Sequence, residues 1–425
     1  MELIKLPTSL GLIVIDLLKK YNIEPRKTQI GSFKGMLSFE FSQEELDLVN
    51  ELNIINPSSG CLDGIENLRC LEFLSITTTG STAYQKIPAS INDKDISKIA
   101  KLKSIKSLKI DNQSKITWLY LDHLENLEHI EFTRNTSLVE IFGLNKLHKI
   151  KNFIEYGNKE LYSIEGIKEL IEQNDLEEAE FDFLHFNDVC DSLELLDSCI
   201  YHFSETIRTK NTTIDYTPLQ MLYFHKKCLE IAKNAQRFSL DKRLQIIYVE
   251  KYLAENIVYD YDALNNKKRA HYENGKQRGK VFGTNSAYNG IMFGSAVCEG
   301  YTRSMQYILK LMGINSKNVH CIGGANKISI NETYHNKIEL PNDGYHSIIR
   351  IDDNNSIYYC DPCWDSCRFH RGDTTLPYCL LTKKEILKSH TLSFEEDNVI
   401  YDIPYPRDFV SDTIEYLNKN DNKTR

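Results

Sequence analysis

The sequence predicts an α+β chain in two parts. The first is an amino-terminal solenoid of short repeats, and the second sets a cysteine at a helix start against a histidine and an aspartate on a β-hairpin. Three observations predict it: an apolar spacing that recurs through residues 68–150, a helical pattern that opens at Cys298, and two strand-like runs flanking Asp353-Asn354. The 425 residues exceed one ordinary core, so two or three domains are expected.

Residues 1–55 read as an amino-terminal cap. Its most apolar run, Leu10–Leu18, is interrupted by Asp16 and is too short to span a bilayer, so a buried helix is expected. Residues 56–187 carry the repeat. Leu68-x-x-Leu71-x-x-Leu74-x-Ile76 recurs as Leu102-x-x-Ile105-x-x-Leu108-x-Ile110 and as Leu124-x-x-Leu127-x-x-Ile130-x-Phe132, with Asn135 three residues on. A looser copy starts at Leu144, Leu147 and Ile150. The later intervals are 22 and 20 residues; the first, 34, leaves room for an insertion at Thr77–Asp93. A helix would leave the change from spacing three to spacing two at Leu74 and Ile76 unexplained. The pattern resembles the leucine-rich repeat, in which each unit buries its apolar edge only by stacking on a neighbour.

Residues 188–235 read as a helical connector. Leu193, Leu195 and Leu196 precede a polar stretch at Thr206–Thr213, and Leu219, Leu222, Phe224 and Cys228 follow near helical spacing. A second domain is expected over 236–410 and a polar tail over 411–425. The domain opens with an amphipathic helix on Leu244, Ile247, Tyr248, Tyr252 and Leu253, ending near Tyr259. A polar loop runs on through Lys280.

Ser-Ala-Val-Cys-Glu-Gly-Tyr, residues 295–301, then starts a helix. Tyr301, Met305, Ile308, Leu309 and Met312 share one face, and Gly313 is the expected stop. Cys298 falls at the helix start, where unpaired N–H groups and the positive end of the dipole favour a thiolate and a nearby oxyanion. Residues 345–351 and 356–361 read as two strands joined by a two-residue turn at Asp353-Asn354. That turn sets Asp352 opposite Asn355 and His346 opposite Asp361, about 5 Å apart at Cβ. A slip of one residue would send them to opposite faces.

Cysteine, histidine and aspartate then divide the work of acyl transfer. Cys298 is the nucleophile, His346 moves the proton, and Asp361 holds the imidazole in place. Val-Cys-Glu-Gly-Tyr, the His346 strand and Tyr-x-Cys-Asp-Pro-x-Trp-Asp resemble the transglutaminase-like superfamily, from about Leu244 to Asp365. The resemblance implies a papain-like core, with Trp364 shielding the site and Asp365 structural. The chain departs from the family pattern at Ile348, commonly aromatic, and at Cys363, commonly threonine. The family's oxyanion donor lies upstream of the cysteine, where Tyr288 and Asn289 are the candidates.

Cys360, Cys363, Cys367 and His370 have metal-ligand spacing, but zinc there would distort the strand that presents Asp361, so neither metal nor cofactor is expected. His320, Cys321 and His335 read as ordinary strand and loop residues. The formal charge of -9 excludes a dedicated nucleic-acid binder, and the basic runs Lys267–Arg269 and Lys276–Lys280 read as a solvated loop. Eleven scattered cysteines without a signal peptide suggest reduced thiols in a cytoplasmic setting, or export without a cleavable signal. The expected function is hydrolysis or transfer at an amide: a peptide bond, a glutamine side chain or a glycan-linked asparagine. The substrate is a protein or peptide recruited by the repeats. The rival reading is a non-enzymatic interaction module on a degenerate fold.

Overall fold

The structure is a computed structural model. It describes residues 3–23, 26–28, 38–79, 91–158, 160–207, 212–261, 272–273, 276–277, 283–323, 345–353, 356–392 and 406–421. Helix and sheet are mixed throughout, an α+β chain. It divides into two compact units, Met1–Glu205 with Asp215–Pro218, and Thr206–Ile214 with Leu219–Arg425. Among the described residues no helix is long and apolar enough to cross a membrane.

The first unit opens with strand Ile4–Pro7 paired antiparallel to Ser38–Phe41, and helix Thr8–Leu18 buries Leu10, Val14 and Leu18 as expected. An eight-stranded sheet follows, its strands lying side by side in chain order from Glu51–Ile55 to Thr212–Tyr216, apart from two short strands that pair separately. Neighbours from Glu51 to Asp182 run parallel, and equivalent repeat positions stand in register: Leu74 faces Leu108, which faces Ile130. Leu68, Leu71, Leu74 and Ile76 are all buried, as are their counterparts in the next two repeats.

A line of amides closes the turns after the strands. Asn135 accepts the Gln113 N–H (3.0 Å) and donates to the Ile110 carbonyl (2.9 Å). Asn158 does the same one repeat later, accepting from Asn135 N–H (2.8 Å) and donating to the Phe132 carbonyl (2.7 Å). Backbone groups that each turn would otherwise bury unpaired are thereby satisfied. The expected insertion falls mostly on 80–90, outside the described residues; beyond it Asn92 caps helix Asp93–Ile96.

Three expectations are corrected. The sheet starts at Glu51, before the expected end of the cap, because Leu46, Val49, Leu52 and Ile54 repeat the same apolar spacing. It also runs past residue 187, so 188–235 is not a helical connector. Ile200–Ile207 buries Phe203 and Ile207 and pairs with Glu178–Asp182, and Thr212–Tyr216 adds a further strand. Only Pro218–Phe238 is a long helix; it opens on a proline, whose missing N–H costs nothing there. Finally, the carboxy-terminal residues are not merely a polar tail. Helix Arg407–Asp421 buries Val410, Ile414 and Leu417, one stripe at helical spacing, and packs on helix Lys242–Asn256.

In the second unit, helix Cys298–Leu311 packs against a four-stranded antiparallel sheet. The sheet order is Ser356–Cys360, Tyr345–Asp353, Asn315–Gly323, His390–Leu392. Val319, Cys321, Ile348, Tyr359, Leu381 and Ile386 form one apolar cluster of this unit.

Candidate active site

Cys298 is the first residue of its helix, after Val297 in extended conformation, and Gly313 ends it at φ +68. The expected apolar face is buried, but so is nearly everything else from Cys298 to Leu309. The helix start is pressed against the chain before it: Val297 N–H donates to the Thr284 carbonyl at 2.8 Å. A Cβ on Gly300 would lie 2.6 Å from that same carbonyl oxygen, which explains the glycine two residues after the cysteine. Tyr301 completes the anchor, its hydroxyl 2.8 Å from the Ile257 carbonyl and 2.9 Å from Ser366 Oγ.

The hairpin register differs by two residues from the expected one. Asp353 pairs with Ser356 and Ile349 with Cys360, so the turn lies at 354–355, outside the described residues. An even shift keeps every side chain on its face, so His346 and Asp361 still meet, diagonally rather than directly. Strand pairing stops at Cys360, and Asp361 instead caps helix Pro362–Phe369, its Oδ1 accepting the Trp364 N–H at 3.0 Å.

His346 Nε2 lies 2.8 Å from Asp361 Oδ2, and Cys298 is near enough to act on the imidazole's affinity for its proton. All three side chains are buried. Burial opposes charge on His346, but Asp361, and then Cys298, outweigh it and push its pKa up to about 10. Burial likewise acts against ionised Asp361, yet His346 and His390 hold it well below the usual carboxylate range.

His390 is the residue that sequence reasoning missed. Its Nε2 lies 3.1 Å from the same Asp361 Oδ2, and its ring stacks on His346 with centroids 5.5 Å apart. Ser389 Oγ holds its other nitrogen at 2.9 Å. His390 sits on the short strand that pairs with Asn315–Gly323, far along the chain, and no motif near it announces the contact. Trp364 covers both imidazoles, its ring 5.3 Å from His346 and 4.3 Å from His390.

Of the upstream residues, Asn289 spends its amide donor on the Ser295 carbonyl, and Tyr288 stacks on Phe224 at 5.9 Å. His320 faces Ser347 and Cys321 faces His346 across the sheet; His335 lies outside the described residues. Cys360, Cys363, Cys367 and His370 do not converge: His370 Nε2 lies 3.2 Å from the Ile257 carbonyl, and Cys360 turns to Glu250 and Cys379. Among the described residues three groups have metal-ligand chemistry: Glu250, Cys360 and Cys379; His346, Asp361 and His390; and Glu180, His202 and Asp215 in the first unit.

No protein-family model matches the chain, and no curated protein does. Among solved structures it is similar to a TGase at 13% identity, over 35% of this chain and 34% of that one, with a TM-score of 0.26. It is similar to an internalin from Listeria monocytogenes str. 4b F2365 at 15% identity, over 48% and 53%, with a TM-score of 0.27. A candidate cysteine protease from Cytophaga hutchinsonii aligns at 9% identity, over 42% and 46%, with a TM-score of 0.23. The chain spans about half or less of the length of each.

Proposed function

We propose that Cys298, His346 and Asp361 are the catalytic triad of a transglutaminase-like cysteine enzyme, and that the parallel sheet of the first unit is a leucine-rich-repeat surface that recruits its protein or peptide substrate. The observation that carries the reading is His346 Nε2 held 2.8 Å from Asp361 Oδ2, with Cys298 at the amino end of a helix. With the proton resident on His346, the sulfur attacks an amide carbonyl and forms a C–S bond. Helix-start N–H groups hold the oxyanion. Collapse breaks the C–N bond, His346 gives its proton to the leaving amine, and a thioester remains on Cys298. Water or a second amine then attacks with His346 as base, giving hydrolysis or transfer and restoring the thiolate–imidazolium pair.

The first unit supports the recruiting role through outward residues on its strands. Asn53, Phe73, Ser75, Lys109, His129 and Glu131 line one groove along the sheet, mixing an exposed aromatic ring with charge. The test is Cys298→Ala in the full chain, with mass spectrometry of a mixed peptide and glutamine substrate pool. Turnover should vanish while binding of protein substrate persists. A mass gain of about 1 Da marks deamidation, new termini mark proteolysis, and an amine adduct marks transfer. Turnover that survives Cys298→Ala would exclude Cys298 as the nucleophile, and binding without turnover in the unsubstituted chain would leave a non-enzymatic interaction module.

A further inference from the structure

We propose that Glu250, Cys360 and Cys379 form a binding site for one zinc-class divalent cation in the core of the second unit. The proposal is independent of the catalytic reading. Glu250 comes from helix Lys242–Asn256, Cys360 ends the hairpin strand, Asp365 lies in helix Pro362–Phe369, and Cys379 follows in the next segment. All four are 0% exposed. One ligand atom each from Glu250, Cys360 and Cys379 lie within 4.8 Å of one another. Asp365 is near Glu250 but is not one of these three; its carboxylate accepts the Tyr378 N–H.

The Glu250 carboxylate points to the ligand. Neither oxygen has a hydrogen-bond donor in acceptable geometry, although the group is wholly buried. Its neighbours are Asp365, Cys360 and Cys379, which supply carboxyl and thiol groups and no positive charge. A wholly buried carboxylate with no donor is untenable as a bare charge; a proton or a cation must neutralise it. Two sulfurs and one carboxylate supply three ligands of zinc chemistry, and the thiols select against magnesium and calcium. The surrounding backbone suits such a site. Leu380 N–H donates to Cys360 Sγ at 3.1 Å, fixing one sulfur in place. Cation binding would displace the protons otherwise held by the thiols and carboxyl, so it should release acid.

The experiment uses the full chain purified without chelator or added metal. Elemental analysis should find about one zinc per chain, retained on dialysis. Replacement by cobalt(II) should give the absorption of a tetrahedral ion with thiolate ligands. Glu250→Gln, nearly isosteric, should weaken cobalt binding without loss of the circular-dichroism spectrum, and Cys379→Ser should abolish the thiolate-to-cobalt band. A metal-free chain that takes up no cobalt would overturn the proposal in favour of a proton-sharing cluster. So would recovery of a Cys360–Cys379 disulfide, or a cobalt band that survives both Cys360→Ser and Cys379→Ser. The wild-type measurements decide even where a variant does not fold. Activity is not read, so failure here leaves the triad untouched.

Discussion

The three groups around Asp361 set the behaviour of the site at the scale of single residues. His346 has a folded-state pKa of about 10 against an ordinary 6.5. A folded protein that keeps a proton the unfolded chain releases gains stability. That gain is complete below about pH 6.5 and disappears as pH rises through about 10. The thermal midpoint should therefore fall from pH 7 to pH 10 more steeply in the native chain than in His346→Gln. Parallel curves would mean that the imidazolium does not form. Under the proposed mechanism His390, which bonds the same oxygen, is a positioning residue. Replacing it by phenylalanine removes a hydrogen bond to a charged carboxylate, worth about 1.5–3 kcal/mol, or roughly 10–100-fold in rate if it is spent on orienting His346. Under the proposed mechanism kcat should fall with KM unchanged, the alkaline limb of the pH profile should move, and His390→Gln should recover part of the rate. A merely structural role would lower stability and leave the pH profile in place.

At the scale of elements, the apolar spacing made the repeat strands legible because each carries its own burial code. Leu46, Val49, Leu52 and Ile54 followed it too, so the cap boundary was readable and was drawn too late. The later strands were not readable this way. Ala179 and Phe181, or Phe203 with the buried Ser204 and Glu205, replace leucines by aromatic and polar groups whose partners lie a repeat away. The hairpin was legible to within two residues, since alternation reports the face of a strand and not its register. His390 was illegible because its role exists only where strand His390–Leu392 meets strand Asn315–Gly323. The amide line in the sheet gives the sharpest test at this scale. Asn135→Ala strands the Gln113 N–H and the Ile110 carbonyl together, at roughly 1–3 kcal/mol for each buried group left unpaired. Urea unfolding should show a lower midpoint; a change under about 0.5 kcal/mol would mean water replaces the amide.

For the whole molecule, the second unit reaches further towards the amino terminus than residue 236. Helix Pro218–Phe238 belongs to it: Phe224 packs on Tyr307 at 4.7 Å, and His225 Nδ1 lies 2.9 Å from the Tyr307 hydroxyl. A chain started at 236 loses those contacts, and losing a buried phenylalanine alone costs about 3–5 kcal/mol. Residues 217–425 should therefore express as a cooperatively folding protein, while 236–425 should be largely insoluble or should melt without a sharp transition. Equal melting of the two would show that the helix is dispensable. Under the proposed function the longer piece should turn over small amide substrates and lose preference for the natural protein.

Asp361 divides its two oxygens between two employers. Oδ1 is committed to the Trp364 amide and so to the start of a helix, while Oδ2 serves the two imidazoles. The helix thus acts as a polariser for the site: it dictates which end of the side chain looks at His346. Asp361→Asn keeps the shape but not this freedom. Its carbonyl must stay on the Trp364 N–H, so its NH2 is forced toward His346 and His390, donor against donor. The imidazole can then meet it only by turning an unprotonated nitrogen inward, which puts its proton on the Cys298 side and leaves no acceptor there. The variant should fold with native circular dichroism and a melting point lowered at pH 7 but close to native at pH 10, and under the proposed mechanism should lose about 10⁴-fold in kcat, as a triad does when its tautomer is reversed. An asparagine variant that stays active would show that the two oxygens are interchangeable and that the helix exerts no such control.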